Sequence, residues 1–116
     1  MAIGNMNDVA LKPIKSDEAS LASIRVLVSP KEGWKGYVMR EIEVEKEGFT
    51  PKHFHPWPHV NYIISGQGSL YLDGQETLVE AGSYAYIPAN LLHQFKNVGK
   101  DTFKFICIVP EEGHQY

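Results

Sequence analysis

The chain has 116 residues, enough for one domain with its own hydrophobic core and too few for two. Hydrophobic residues make up 43% and charged residues 22% of the sequence, a balance typical of a soluble globular protein. The formal net charge is -3, and the lysines and arginines are scattered rather than clustered. This charge pattern argues against nucleic acid or an anionic membrane as the main partner.

The cysteine content and the apolar runs bear on the cellular compartment. Cys107 is the one cysteine, so no intrachain disulfide is possible and a reducing compartment is expected. The first 20 residues have no long apolar core of the kind that marks a secretory signal. Nor does any apolar run approach the roughly 20 residues that span a bilayer. We therefore expect a cytoplasmic protein.

In chain order, the pattern predicts an N-terminal arm over residues 1–20, which packs on the barrel or on a partner subunit, and a barrel over residues 21–116. A weak helical pattern covers Ser16 to Ser23. Short β-prone runs separated by turn residues follow. The predicted strands are 23–29, 37–45, 60–65, 69–72, 76–80, 83–88, 93–97 and 102–110. Asp73-Gly74 is the strongest hairpin signal. Many closely spaced short strands indicate an all-β sandwich or barrel.

Alternation along two of these strands assigns side chains to faces. In the run YVMREIEVE, Glu41 and Glu43 are predicted to face water, which turns Arg40 toward the interior. In the run TFKFICIVP, the inward residues are Phe103, Phe105, Cys107 and Val109. The outer side then carries Ile106 and Ile108, which we expect a second subunit or the N-terminal arm to cover.

Three of the five histidines lie in the stretch HFHPWPH, residues 53–59. On a strand, His53 and His55 project to the same face with about 7 Å between their Cα atoms, so both imidazoles can reach one metal ion. Two prolines then bend the chain before His59. A metal site is one interpretation; a surface loop with unrelated histidines is the other. The last histidine, His114, is predicted to be a solvated residue of the tail.

A second stretch, GSYAYIPANLLHQFKN, makes the sequence resemble the cupin family. The second cupin motif, G-x5-P-x-G-x2-H-x3-N, matches at Gly82, Pro88, His93 and Asn97, with Asn90 in place of its inner glycine. Asparagine is the best substitute where a turn needs a positive φ. The resemblance implies a single-domain cupin, which is a jelly-roll barrel (a double-stranded β-helix).

The first cupin motif, G-x5-H-x-H-x(3,4)-E-x6-G, matches at His53, His55 and Gly66. Its leading glycine is replaced by Glu47, although Gly48 follows and can make a similar turn. His59 stands where the family has a glutamate. The sequence is similar to small four-histidine, manganese-binding cupins of prokaryotes, which implies the metal ligands His53, His55, His59 and His93.

The resemblance implies manganese as the metal, with iron as the next candidate. Ligand chemistry alone would favour copper, nickel or zinc at a site of imidazole nitrogens. If the histidines take four corners of an octahedron, two positions stay open for dioxygen or peroxide and a small organic substrate. If they instead enclose a tetrahedral zinc ion, the site is structural and inert.

The function implied by these features is that of a metal-dependent enzyme, an oxidoreductase of the dioxygenase kind. A metal-dependent isomerase or lyase without redox chemistry and a non-catalytic ligand- or metal-binding barrel are the alternatives. The substrate pocket is predicted to include Arg40, Phe105 and Cys107. Arg40 would hold a carboxylate or form a structural ion pair, and Cys107 would be a small buried hydrophobe or a redox-sensitive neighbour of the metal. A homodimer is expected.

Overall fold

The computed structural model describes residues 2–114, and within that range nine β-strands form the architecture. Single turns of 3₁₀ helix at Met6–Asp8, Pro30–Glu32 and Glu111–Gly113 complete the regular structure. The strands are Lys12–Pro13 (β1), Ser20–Val28 (β2), Tyr37–Phe49 (β3), His59–Ser65 (β4), Gln67–Leu72 (β5), Gln75–Glu80 (β6), Tyr84–Ile87 (β7), His93–Asn97 (β8) and Phe103–Pro110 (β9).

The strands pair antiparallel in the order β6-β5-β8-β3-β9-β4-β7, with β2 also paired to β3 and β1 to β2. The result is an all-β, nearly closed barrel, which confirms the predicted fold class. The long strand β3 joins the two halves, because Tyr37–Val44 pairs with β9 while Phe49 pairs with β8. The core lies inside the barrel and includes Val38, Val44, Ile63, Ile87, Phe95, Phe103, Phe105 and Val109.

The β5–β6 hairpin forms at the predicted Asp73-Gly74. Both residues have positive φ, 48° and 89°, and Leu72 pairs with Gln75 across the two-residue loop. Such a turn matches the right-handed twist of the strands that flank it. Here local sequence alone specified the structure.

Residues 2–20 of the segment that we propose as an arm contact the barrel through β1 and Ile14. Strand β1 pairs with β2, and the buried Ile14 donates its backbone N–H to the carbonyl of Ala22 at 2.9 Å. The helix predicted around Ser16 to Ser23 is wrong, because β2 begins at Ser20. Ala22 and Ile24 are both buried and two residues apart, which is the period of a strand against the core.

The prediction that Glu41 and Glu43 face water is also wrong. Both lie on the outer side of β3, yet they are 0% and 7% exposed. Arg25 of β2 lies opposite Glu41, and its Nη1 donates to both carboxylates. The Arg25 Nε also donates to the carbonyl of Val9 at 2.9 Å, so the N-terminal segment contacts the arginine that pairs with both carboxylates.

Two residues adopt the left-handed conformation at positions where the cupin motifs have glycine. Asn90 has φ 67°, as its substitution for the inner glycine predicts. Glu47 has φ 70°, so it makes the turn itself, which corrects the expectation that Gly48 would do so. Gly48 is needed for space instead: a Cβ there would lie 2.6 Å from the carbonyl oxygen of Ser20. No helix within residues 2–114 is long and apolar enough to cross a membrane.

Candidate metal centre

The local chain path explains how two distant histidines become neighbours. His53 and His93 form an isolated antiparallel bridge, each donating its backbone N–H to the carbonyl of the other at 3.0–3.1 Å. Two residues after His53, the ring of His55 lies 5.0 Å from that of His53. The prolines bend the chain so that β4 begins at His59, which faces the same interior.

The four imidazoles converge on one region, and we refer to His53, His55, His59 and His93 as the imidazole cluster. Nitrogens of His53, His55 and His93 all lie within 4.8 Å of one another. His59 joins them on the side of His93, with 3.2 Å between their Nε2 atoms and 5.4 Å between its ring and that of His55. His59 therefore lies beside the compact group of three rather than within it.

Hydrogen bonds on the far side of three rings set their orientation. The Nδ1 of His55 lies 2.7 Å from the carbonyl oxygen of Trp57, and that of His93 lies 2.9 Å from the carbonyl oxygen of Leu91. The Nδ1 of His59 lies 2.7 Å from the Oδ1 of Asn61. Since an oxygen can only accept, each Nδ1 carries the proton and each Nε2 keeps its lone pair for the centre of the cluster. This is the usual support for metal-binding histidines.

Burial keeps these rings neutral at physiological pH. Desolvation, helped by the neighbouring His93, lowers the pKa of His53 to about 4. Desolvation is also the main cause that lowers the pKa values of His59 and His93 to about 4. It lowers the pKa of the more open His55 as well. Four uncharged nitrogen donors fit a divalent transition metal, and no carboxylate belongs to the group of potential ligands found within residues 2–114.

The cluster lines a cavity of about 540 Å³. The three residues predicted for the substrate pocket, Arg40, Phe105 and Cys107, all line it together with the four histidines. Residues of the N-terminal segment, Ile14 to Ser16 and Glu18, also line the cavity. The cavity is large enough for a small organic molecule.

Arg40 and Cys107 lie next to the cluster. Both are buried, and the Nη2 of Arg40 donates to the Sγ of Cys107 at 3.0 Å. The Sγ in turn lies 3.6 Å from the Nδ1 of His59. The sulfur atom of Cys107 therefore lies between the guanidinium of Arg40 and the ring of His59, a candidate metal ligand.

Three contributions were not predicted from the sequence. Asn61 orients His59, and its place two residues along the same strand was the signal that could have revealed it. Trp57 stacks on His55 with 4.7 Å between ring centroids and 9° between planes. Gly113 packs against Trp57 so closely that a Cβ would lie 2.5 Å from the indole Nε1.

The prediction that His114 is a solvated tail residue is wrong. Its Nδ1 is buried, because the turn at Glu111–Gly113 folds the C-terminal segment back onto the barrel. Burial and, to a lesser degree, the charge of Arg40 lower the pKa of His114. The C-terminal segment thus belongs to the surroundings of the cavity.

Comparison with known proteins places this geometry in context. Polyketide cyclase RemF from Streptomyces resistomycificus has a similar structure, with a TM-score of 0.90, 29% identity, and coverage of 96% of this chain and 80% of that chain. Glucose-6-phosphate isomerase from Thermococcus kodakarensis is 34% identical over 77 residues, which are 59% of this chain and 41% of that protein. Quercetin 2,3-dioxygenase from Bacillus subtilis is 24% identical over 87 residues, 74% of this chain and 26% of that enzyme.

The chain thus spans less than half the length of these two curated relatives. The family described as Cupin domain matches residues 40–109, which include the whole imidazole cluster. The match covers more than half of the chain, and the barrel and the comparisons agree with it. The protein belongs to the cupin family.

Proposed function

We propose that the protein is a metal-dependent enzyme that acts on a small, oxygen-bearing organic substrate at the imidazole cluster. The observation that carries this proposal is the convergence of four neutral imidazoles, three with Nδ1 hydrogen-bonded to an oxygen, on the wall of a cavity. We propose His53, His55, His59 and His93 as the metal ligands. Manganese is the first candidate metal and iron the second, with zinc, copper and nickel as further possibilities.

A divalent ion held there would polarise substrate oxygens and, as manganese or iron, would support electron transfer to dioxygen. The residues of the chain supply the rest of the site. Arg40 offers a positive charge to an anionic substrate, and it does so in a buried place where that attraction is little screened. Phe95 and Phe105, stacked at 4.4 Å, form an apolar wall that keeps water from one side of the substrate.

The sequence resemblance favours an oxygenase as the reaction class, and similarity to quercetin 2,3-dioxygenase supports it. The similarity to the polyketide cyclase RemF, which covers 96% of this chain, favours a second candidate: cyclisation or isomerisation without redox chemistry. Oxygen uptake by the manganese and iron forms over diketones, catechols and alkenes tests the first. Turnover by the zinc form under anaerobic conditions tests the second, and tight ligand binding without turnover would indicate a binding protein.

Metal content tests the site itself. Protein purified without added metal should contain about one manganese or iron ion per chain, and His59→Ala should lose most of it because one of four donors is gone. His114→Ala is the matched control. Because His114 lies outside the cluster, the variant protein should keep its metal. Equal metal content in all three proteins would contradict the assignment of His59. Stoichiometric zinc that resists exchange would favour a structural site.

We also propose a homodimer in the cytoplasm, formed through an exposed apolar sheet face. Strands β4, β7 and β9 share this face, which consists of Val60, Tyr62, Ile64, Tyr84, Tyr86, Ile106 and Ile108. Tyr84 and Tyr86 are 84% and 60% exposed. A contiguous apolar patch that is this exposed is unusual on a monomeric protein. Sedimentation should show a dimer at micromolar concentration, and Tyr84→Lys should dissociate it. Leu78→Lys, on exposed β6, is the control that should remain dimeric.

A further inference from the structure

Three side chains on adjacent strands form a polar row across the wall of the cavity. Arg40 of β3 pairs in register with Cys107 of β9, and Cys107 pairs in register with Asn61 of β4. All three side chains are buried and line the cavity. The next row toward the core, Ile42, Phe105 and Ile63, is entirely apolar, so the polar row stands out against its surroundings.

Asn61 uses only one end of its side chain within the protein. Its Oδ1 accepts from the Nδ1 of His59 at 2.7 Å. Its Nδ2 is buried and has no hydrogen-bond partner among residues 2–114, although the residue is only 4% exposed. A buried donor without a protein partner has lost its hydration without compensation, so such groups are rare in native proteins and each one needs an explanation.

The orientation of the amide follows from the chemistry of His59. The Nε2 atoms of His59 and His93 lie 3.2 Å apart, and as ligands of the proposed metal ion both must be unprotonated, so His59 carries its proton on Nδ1. That proton requires an oxygen acceptor, which assigns the near end of the amide to Oδ1. The far end is therefore the NH₂ group, and rotating the amide would break the bond to His59.

We propose that the Nδ2 of Asn61 donates a hydrogen bond to an oxygen of the substrate, and that the substrate is a small organic anion, a carboxylate or an enolate, with a planar apolar body. The negative charge matches the guanidinium of Arg40 in the same row. The planar apolar body matches the stacked rings of Phe95 and Phe105 on the cavity wall. This inference deepens the proposed function and rests on it for the role of the cavity.

Such a donor would select substrates by the cost of leaving it unpaired. A ligand of the same shape that lacks the oxygen would bury Nδ2 without a partner, and sites of this kind discriminate far better than apolar pockets do. Because the same amide holds His59, substrate recognition and the position of a proposed metal ligand depend on one residue.

The test uses the intact zinc-loaded protein, which is diamagnetic, with benzoate as the anionic probe and benzyl alcohol as the uncharged control. In ¹⁵N NMR spectra, the side-chain amide signal of Asn61 should shift on addition of benzoate and stay in place with benzyl alcohol. Asn61→Asp keeps an oxygen acceptor for His59 and loses the donor. Calorimetry should therefore show that the variant still binds zinc, with benzoate affinity lowered about tenfold or more.

Asn61→Leu removes both functions, so it should weaken benzoate binding and also lower zinc affinity by about 10–100-fold. The exposed Asn7→Asp controls for the change in net charge and should leave both affinities unchanged, while the uncharged Asn61→Leu separates loss of the donor from repulsion of benzoate by a new carboxylate. An Asn61→Asp protein that binds benzoate as well as the parent would overturn the inference, and so would a parent that binds zinc but not benzoate. A parent that binds no metal refutes the proposed function, whereas benzoate binding to metal-free protein that is lost in Asn61→Asp would still support the inference.

Discussion

The buried carboxylate Glu41 provides a sharp test of the electrostatics outside the cavity. Burial raises the pKa of Glu41 from 4.5 to about 7, because it is fully enclosed; the hydrogen bond from Arg25 opposes the rise and the neighbouring Glu43 adds to it. Between pH 4.5 and 7 the folded carboxyl keeps a proton that the unfolded one has released. The free energy of unfolding therefore falls as the pH rises through this window.

The replacement Glu41→Gln removes this penalty. Since each pKa unit corresponds to about 1.4 kcal/mol, the difference between about 7 and 4.5 amounts to about 3 kcal/mol. Arg25 keeps Glu43 as its ion-pair partner in the variant, so no cation is left alone. We expect Glu41→Gln to match the parent near pH 4.5 and to be more stable by about 3 kcal/mol at pH 8.

Urea unfolding of metal-free protein, followed by tryptophan fluorescence at both pH values, measures this difference. Comparison of variant with parent cancels the contribution of the imidazole cluster, whose lowered pKa values act in the opposite direction. The matched control is Glu45→Gln, at an exposed position on the same strand. Its free energy of unfolding should differ from that of the parent by less than about 0.5 kcal/mol at both pH values. A Glu41→Gln protein that is no more stable than the parent at pH 8 would refute the reasoning.

Three further changes have defined outcomes. Glu47→Gly should stabilise the fold by about 1 kcal/mol in urea unfolding, because Glu47 has φ 70° and glycine adopts that conformation without strain; equal or lower stability would be inconsistent with this. Gly113→Ala should displace Trp57, lower the free energy of unfolding by about 1–3 kcal/mol and alter the tryptophan fluorescence spectrum. Gly4→Ala is the control, because no atom lies near an added Cβ there, and it should change neither the stability nor the spectrum. Metal affinity, measured by competition with a chelator, should stay level from pH 8 to pH 6 and fall below about pH 5, because three of the four imidazoles have pKa values near 4. A fall in affinity centred near pH 6.5 would show that these imidazoles are not buried as described.

The sequence by itself determined the features that depend on local chemistry. Alternating apolar residues predicted the strands, and Asp73-Gly74 predicted a turn that both residues make at positive φ. The spacing of the histidines allowed one metal site, which the resemblance to the cupin motifs then implied, and the substitution of Asn90 for glycine correctly implied a left-handed residue. These are properties of a few consecutive residues, so they can be inferred without knowing what lies across the barrel.

The tertiary structure decided everything that depends on coverage by a distant segment. Alternation correctly put Glu41 on the outer face of β3, but only the structure shows that Glu41 is buried there and bonded to Arg25, which in turn binds the N-terminal segment. In the same way, the free end of Asn61 and the stacking of Trp57 beneath Gly113 arise where strands and tails far apart in sequence meet. Periodicity specifies the direction of a side chain, whereas its burial, its partners and its pKa depend on which other parts of the chain pack against it.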